Sequence, residues 1–232
     1  MDFNVKENHY LISMTPYNSI VEAGHIMELN SNSTVLDLCC GYGEMLRIWN
    51  EHFNIHGVGV DICTEFIQTG IHRLANNPDI KLIQDNVLNY HTDKKFDVVS
   101  MCGIGDLFGG IDENISIVEQ YMKPDGKLVI AECFLKSDTA PKELIDFEGN
   151  LHTLDEINNI FNSRGYYITY FSTGTNAEWE RYVAWDARRT IQNLRKNPED
   201  TTSKEWLHKW YQMYFIYRRK YEGWGCFVLE RI

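Results

Sequence analysis

The residues best placed to do chemistry lie at four points along the first half of the chain. Asp37-Leu38-Cys39-Cys40-Gly41-Tyr42-Gly43-Glu44 puts an acid ahead of two glycines. Gly41 and Gly43 lack the side chain that would keep a ligand away from the backbone. A second acid, Asp61, follows 18 residues after Gly43. A carboxylate there can accept hydrogen bonds from the two hydroxyls of a ribose. The third point, Asp85-Asn86-Val87, sets a carboxylate beside an apolar residue. That pair suits an adenine, with its exocyclic amine bonded and its face packed. At the fourth, Cys102-Gly103 opens the Gly-rich stretch CGIGDLFGG.

Position depends on the elements between these points. TVLDL (34–38), GVGVDI (57–62), IKLIQDN (80–86), FDVVSMCG (96–103), KLVIAECF (127–134), YYITYFST (166–173) and WGCFVLERI (224–232) read as seven strands. Helical patterns alternate with them: EMLRIWNEHF, TEFIQTGIHRLANN with Thr64 as its cap, ENISIVEQYM, and LDEINNIFNSRG with Gly165 at its end. KPDG (123–126) reads as a turn. Short apolar strands alternating with helices predict an α/β fold: a Rossmann-like, seven-stranded, mostly parallel sheet with helices on both faces. Each of the four points then falls at or just past the carboxyl end of a strand, where such sheets bind ligands.

The glycine turn could serve a dinucleotide or a different nucleoside. A dinucleotide fingerprint needs a third glycine at 46, which is Leu46. Asp37 would also repel a pyrophosphate and attract an amino group. The chain resembles the class I S-adenosylmethionine-dependent methyltransferases, whose motif is an acid followed by G-x-G-x-G. Here it reads D-x-C-x-G-x-G, with Cys39 in place of the first glycine, a change that suits a negative φ at residue 39. Asp61, Asp85, FDVVSMCG and MKPDG match the later motifs in order. The resemblance covers about residues 30–175 and 222–232. EWERYVAWDARR, NPED, a closing strand that begins Gly-Trp-Gly and the Gly43-Glu44-Met45-Leu46 helix start are also similar to a bacterial group of small-molecule type.

The resemblance implies a cofactor, S-adenosyl-L-methionine, and a place for each of its parts. Asp37 and Gly41, with Cys39 and Gly43, take the amino-acid moiety. Asp61 and Ile62 take the ribose, and Asp85, Asn86 and Val87 the adenine. Cys102 and Gly103 lie beside the methionyl end. No metal is implied. Methyl transfer from a sulfonium is an in-line displacement, in which the protein supplies position and a dry pocket. A base is needed only where the acceptor atom must lose a proton. Candidates for that work are Glu132, a charged residue finishing an apolar strand, Asp106 in the Gly-rich loop, and His9 in the N-terminal segment. Glu132 could instead be bonded to backbone, and Asp106 could be a solvated loop acid.

Residues 1–29 read as an N-terminal helical lid, broken at Pro16, and residues 176–221 as a helical cap inserted between the last two strands of the 30–175 and 222–232 core. In the cap Trp179, Tyr182 and Trp185 recur at helical spacing, as do Trp206, Trp210, Tyr214 and Tyr217. Such rings either form the hairpin's own core or, with Tyr17 of the lid, wall an acceptor pocket. They could hold an amine by cation–π contact. Arg181, Arg188, Arg189, Arg218 and Arg219 make the hairpin basic, either as a solvated face or as an attraction for a carboxylate or phosphate.

Composition limits the partners. The chain has 232 residues, a formal charge of −11 and 44% hydrophobic residues. That is enough to bury a core unaided and too apolar for global disorder. An acidic chain is a poor general ligand for phosphate backbones, and Met101-Cys102-Gly103-Ile104 stands where base amino-methylating enzymes carry an N-P-P-Y type signature. Mean hydropathy is −0.37, and the sequence has neither an apolar run of membrane-spanning length nor a signal-like start. A cytoplasmic enzyme with a small-molecule methyl acceptor follows as the expectation. Methylation of RNA or protein is an alternative. So is a thiol-dependent metalloid methyltransferase, because five of the six cysteines fall at or just past strand ends.

Overall fold

The computed structural model describes residues 10–232. His9 lies outside the described residues. Seven strands form one sheet: β1 (Thr34–Leu38), β2 (His56–Asp61), β3 (Ile80–Gln84), β4 (Phe96–Cys102), β5 (Met122–Leu135), β6 (Tyr166–Thr173) and β7 (Glu222–Arg231). Their order is β3-β2-β1-β4-β5-β7-β6. Pairing is parallel from β3 to β5, whereas β7 runs antiparallel to both β5 and β6. The expected seven-stranded, mostly parallel sheet is what the chain forms. Strand order reverses between β1 and β4, and this switch point opens a crevice beyond their carboxyl ends.

Alternation along the strands builds two cores. Val35, Val98 and Val129 face one side, with α1 (Tyr17–Ile26), α2 (Glu44–Phe53) and α3 (Thr64–Arg73) over them. Leu36, Leu38, Val99, Met101, Leu128 and Ile130 face the other, under α4 (Ile111–Glu119) and α6 (Leu154–Ser163). Trp49 of α2, 1% exposed, donates its Nε1 proton to Ile20 O at 2.8 Å and so ties α1 to α2.

Three local expectations need correction. Thr64 is the first residue of α3 and not its cap; the cap position is Cys63, which makes no side-chain capping bond. KPDG lies within β5, where the pairing with β4 jumps from Phe96–Met122 to Val98–Lys127, so the turn is a bulge in a continuous strand. A short helix, α5 (Lys142–Glu148), stands where no helix is predicted.

Between β6 and β7 the chain forms α7 (Asn176–Lys196), α8 (Thr201–Met213) and a π-helical turn over Tyr214–Arg218. Trp179, Val183 and Ala187 recur every fourth residue on the buried face of α7. Trp179 stacks on Tyr214 with ring centres 6.2 Å apart.

Gly70 sets how closely α3 approaches the glycine turn. A Cβ there would lie 2.7 Å from the carbonyl oxygen of Tyr42 and 2.5 Å from Leu82. Backbone cannot yield as a side chain can, so Gly70→Ala is expected to lose about 1–3 kcal/mol of stability. Thermal unfolding checks this, at roughly 2–4 °C per kcal/mol for a chain of this size.

Candidate active site

A cavity of about 630 Å³ opens at the switch point. Its floor comes from the ends of β1, β2, β4 and β5, carrying Asp37, Asp61, Cys102 and Glu132. Tyr10 to Met14 form one wall. Residues after β5, including Phe147 and Glu148 of α5, and Tyr182, Trp206 and Trp210 of the cap form the other. Arg181 of α7 donates to Leu11 O and Ser13 O, and Trp224 Nε1 donates to Thr15 Oγ1 at 2.8 Å. Cap and closing strand thus fasten the N-terminal wall over the floor.

The two acids at the floor are held differently. Asp37 is 3% exposed and accepts from Ser100 Oγ at 2.7 Å. Burial is the main reason its pKa is pushed up to about 7; the Ser100 bond opposes the shift and the charge of Asp61 adds to it. Among the described residues, the groups that move it include no cation. Asp61 spans two loops: Oδ2 accepts from Gly41 N and Oδ1 from Cys63 N, each at 2.8 Å. Each oxygen keeps a lone pair for a further donor.

The glycine turn departs from its expected shape at one place. Cys39 has φ +60°, so the negative φ that would ease its substitution for glycine is absent. An L residue in the left-handed region costs roughly 1–2 kcal/mol, and the fold absorbs that cost here. Gly41, at φ +55°, lines the cavity and lies under Ile12. Gly43 has another duty. At φ +72° it precedes α2, and its missing Cβ makes room for Leu82.

Past β2 and β3 the predicted residues stand apart from the cavity lining. Ile62 is 64% exposed. Asp85 donates its N–H to Asp61 O at 3.1 Å and accepts from Asn86 N with its own Oδ1 at 2.8 Å. Val87 is buried in the second core. Cys102 lines the cavity, and Gly103, at φ +74°, lies beside the Trp224 ring.

Glu132, 4% exposed, receives the N–H of Ile104 and Gly105 at 3.1 Å. Burial outweighs these bonds and pushes its pKa up to about 7, with Asp106 adding to the shift. Asp106 is exposed on the short helix Gly105–Phe108 and accepts from Asn150 N at 2.8 Å. It pins the Gly-rich loop to the segment after α5.

The aromatic candidates divide. Tyr182 lines the cavity. Trp185 stacks on Tyr182, and Trp179 lies in the core beneath. Tyr17 bonds His52 Nε2 at 2.9 Å and borders a separate, smaller pocket. Arg218 is no solvated cation: it is 4% exposed and pairs with Glu222 at 2.7 Å. Sequence reasoning missed Glu222, Glu148 and Phe147. The i,i+4 spacing of Arg218 and Glu222 is a pairing signal for the first; Glu148 and Phe147 arrive on a helix without a readable pattern.

Four thiols, Cys39, Cys40, Cys102 and Cys133, also line the cavity. Burial pushes all four up, Cys39 to about 12. A thiol held protonated is a poor ligand, which weighs against the metalloid alternative.

Residues 29–214 match the family described as a methyltransferase domain. The chain belongs to this methyltransferase family. The methyltransferase is 26% identical over 217 residues to the Escherichia coli protein YjhP, covering 89% of this chain and 88% of that one. It is 22% identical over 214 residues to a Plasmodium falciparum phosphoethanolamine N-methyltransferase, covering 87% and 79%. A Thiobacillus denitrificans S-adenosylmethionine-dependent methyltransferase, solved with S-adenosyl-L-homocysteine, superposes with a TM-score of 0.87 at 26% identity, covering 99% of this chain and 98% of that one.

The floor suits such a cofactor on its own chemistry. A buried acid without a cation, a glycine at positive φ and a strand-end carboxylate with free lone pairs are the groups that an ammonium, a close-lying chain and ribose hydroxyls require.

Proposed function

We propose that the protein transfers the methyl group of S-adenosylmethionine to a small-molecule acceptor. The observation that carries this reading is the bounded cavity. Its floor is the switch-point crevice, and its walls are the N-terminal segment and the cap, so an acceptor must be small enough to enter between them. The seven acids of its lining, against Lys209 and Arg218, disfavour a phosphate backbone. A curated relative is named for a small acceptor, phosphoethanolamine. No described helix is long and apolar enough to cross a membrane.

When bound, the cofactor supplies an activated methyl on a cationic sulfur. Asp37 with Gly41 would hold its amino-acid end and Asp61 its ribose; Asp85 and Asn86, just past β3, would border the adenine, while Val87 is buried in the second core. Cys39 shapes the turn, and Cys102 with Gly103 borders the methionyl end. Glu132 takes the acceptor's proton, and Asp106 positions the loop that Glu132 anchors. Tyr182 walls the acceptor side.

Calorimetry with S-adenosylmethionine and S-adenosylhomocysteine tests the cofactor half of this reading. The sign of its pH dependence follows from Asp37. A cationic ligand favours the carboxylate, so binding releases a proton where the free site holds one. Affinity is expected to rise as pH increases through about 7, by up to roughly tenfold per pH unit below that point. Asp37→Asn should flatten the profile. A screen of amines, thiols and carboxylates against the cofactor-loaded enzyme tests the acceptor half; methylation of RNA or protein alone would overturn it.

A further inference from the structure

The cap end of the cavity holds a charge cluster that methyl transfer itself does not require. Arg218 lines the cavity from the end of the π-helical turn, a local distortion found often at functional sites. Its Nε and Nη2 donate to the two carboxylate oxygens of Glu222 at 2.7 and 3.2 Å, and Nε lies 3.1 Å from Glu148 Oε1. Nη1 is buried with no hydrogen-bond partner. Trp210 lines the same end, and its Nε1 is likewise buried without a partner. The guanidinium carbon lies 4.5 Å from the Trp210 ring centre, which puts the two residues side by side at this end of the cavity. Buried donors are nearly always satisfied. Glu148 Oε1 is also buried without a hydrogen-bond partner in this cluster; once protonated it is a donor too, and the unmet donors at this end of the cavity then suit an acceptor oxygen from outside the chain.

The chemistry of that oxygen can be narrowed. The aromatic walls are not an empty cage for a substrate cation. Arg218 already covers faces of Trp179 and Trp210, and Lys209 sits 4.9 Å over the Phe147 ring. An ammonium would also bring donors to donors. Arg218 with Glu222 and Glu148 sums to −1 when all three are ionised, and the charges beside them, Asp186 near Arg218 and Lys136 near Glu222, cancel. A proton on Glu148 brings the cluster to neutrality, and Lys209 at the mouth adds +1. One monoanion then balances the end, whereas a dianionic phosphate would leave it negative.

We propose that the cap end is the acceptor-recognition subsite and takes a carboxylate, with Arg218 Nη1 and Trp210 Nε1 donating to it and Lys209 balancing its charge. The proposal rests on the small-molecule reading above. Glu148 gives it a pH signature. The groups facing Glu148 are Arg218 and Glu222, with Tyr182 and Cys133 beside them, Asp186 acting on Arg218 and Tyr182, and Lys136 acting on Glu222. Burial and the Glu222 charge push Glu148 up to about 7. Carboxylate binding is therefore favoured where Glu148 is protonated, below that pH.

The test uses the enzyme saturated with S-adenosylhomocysteine and three probes: benzoate, phenyl phosphate and benzyltrimethylammonium. Tryptophan fluorescence and calorimetry follow binding. Benzoate is expected to bind about tenfold or more tighter than either other probe, and to weaken by roughly tenfold from about pH 6 to pH 8. Trp210→Phe and the exposed-site variant Lys209→Gln should each weaken benzoate by roughly three- to tenfold, the worth of one hydrogen bond, with cofactor affinity unchanged. Tighter binding of phenyl phosphate or benzyltrimethylammonium overturns the proposal. So does an absence of benzoate binding to the loaded enzyme, or binding that both variants leave intact. Failure to bind S-adenosylhomocysteine is a separate result and counts against the methyltransferase reading itself.

Discussion

Glu132→Gln is expected to lower kcat by about 10²–10⁴-fold, the usual worth of a placed general base, with little change in cofactor affinity. The side chain is buried at the cavity floor, and that burial pushes its pKa up to about 7. There it can accept a proton at neutral pH and release it again. The wild-type kcat, measured with both substrates saturating, should rise with pH and level off above about 7. The sign follows from the carboxylate being the active form and its pKa being raised by burial. Glutamine offers an amide oxygen to the N–H groups of Ile104 and Gly105, so the loop keeps an anchor while the proton acceptor is lost. A fall of less than about tenfold with an unshifted pH profile would make Glu132 a strut for the loop and nothing more.

That distinction marks where sequence reading stops. An acid finishing an apolar strand is visible in KLVIAECF, and so is the expectation that burial must compensate it. The two amides that receive it lie 27 and 28 residues upstream, in a loop whose course no local pattern dictates. The strands were legible because alternation and β-branched residues act within five or six positions. Asp37 and Asp61 were legible because their place follows from the strands. Cys39 was misread for a related reason: φ at 39 is set by how β1 feeds α2 past β2, and cysteine does not advertise a left-handed backbone. Arg218 shows the same limit from the other direction. Five arginines in a helical hairpin read either as a solvated face or as an attraction for a carboxylate or phosphate, yet one of them is packed against two indole rings and paired with a strand that begins four residues later. Burial is a property of the assembled sheet and cap, and composition cannot separate that one arginine from the other four.

Asp61 carries the second large effect. Asp61→Ala is expected to weaken S-adenosylhomocysteine binding by about 10²–10⁴-fold. The carboxylate holds Gly41 N and Cys63 N at once, and a hydrogen bond to a charged group is worth about 1.5–3 kcal/mol. Both loops lose their tie when it goes, along with the acceptors for the ribose. Asp61→Asn separates these contributions. Its amide oxygen can still accept from Gly41 N, but its NH₂ then faces the N–H of Cys63. An intermediate loss of roughly 10–100-fold is the expected outcome, one or two hydrogen bonds' worth. The asparagine also removes a negative charge that raises the Asp37 pKa. The pH above which cofactor binding levels off should therefore move downward in Asp61→Asn. Calorimetry across pH measures both quantities on one protein, and thermal unfolding of the cofactor-free variant reports the loop tie alone. A lowered melting temperature with unchanged affinity and an unmoved pH profile would leave Asp61 as a tie between loops, and the ribose would have to be held elsewhere.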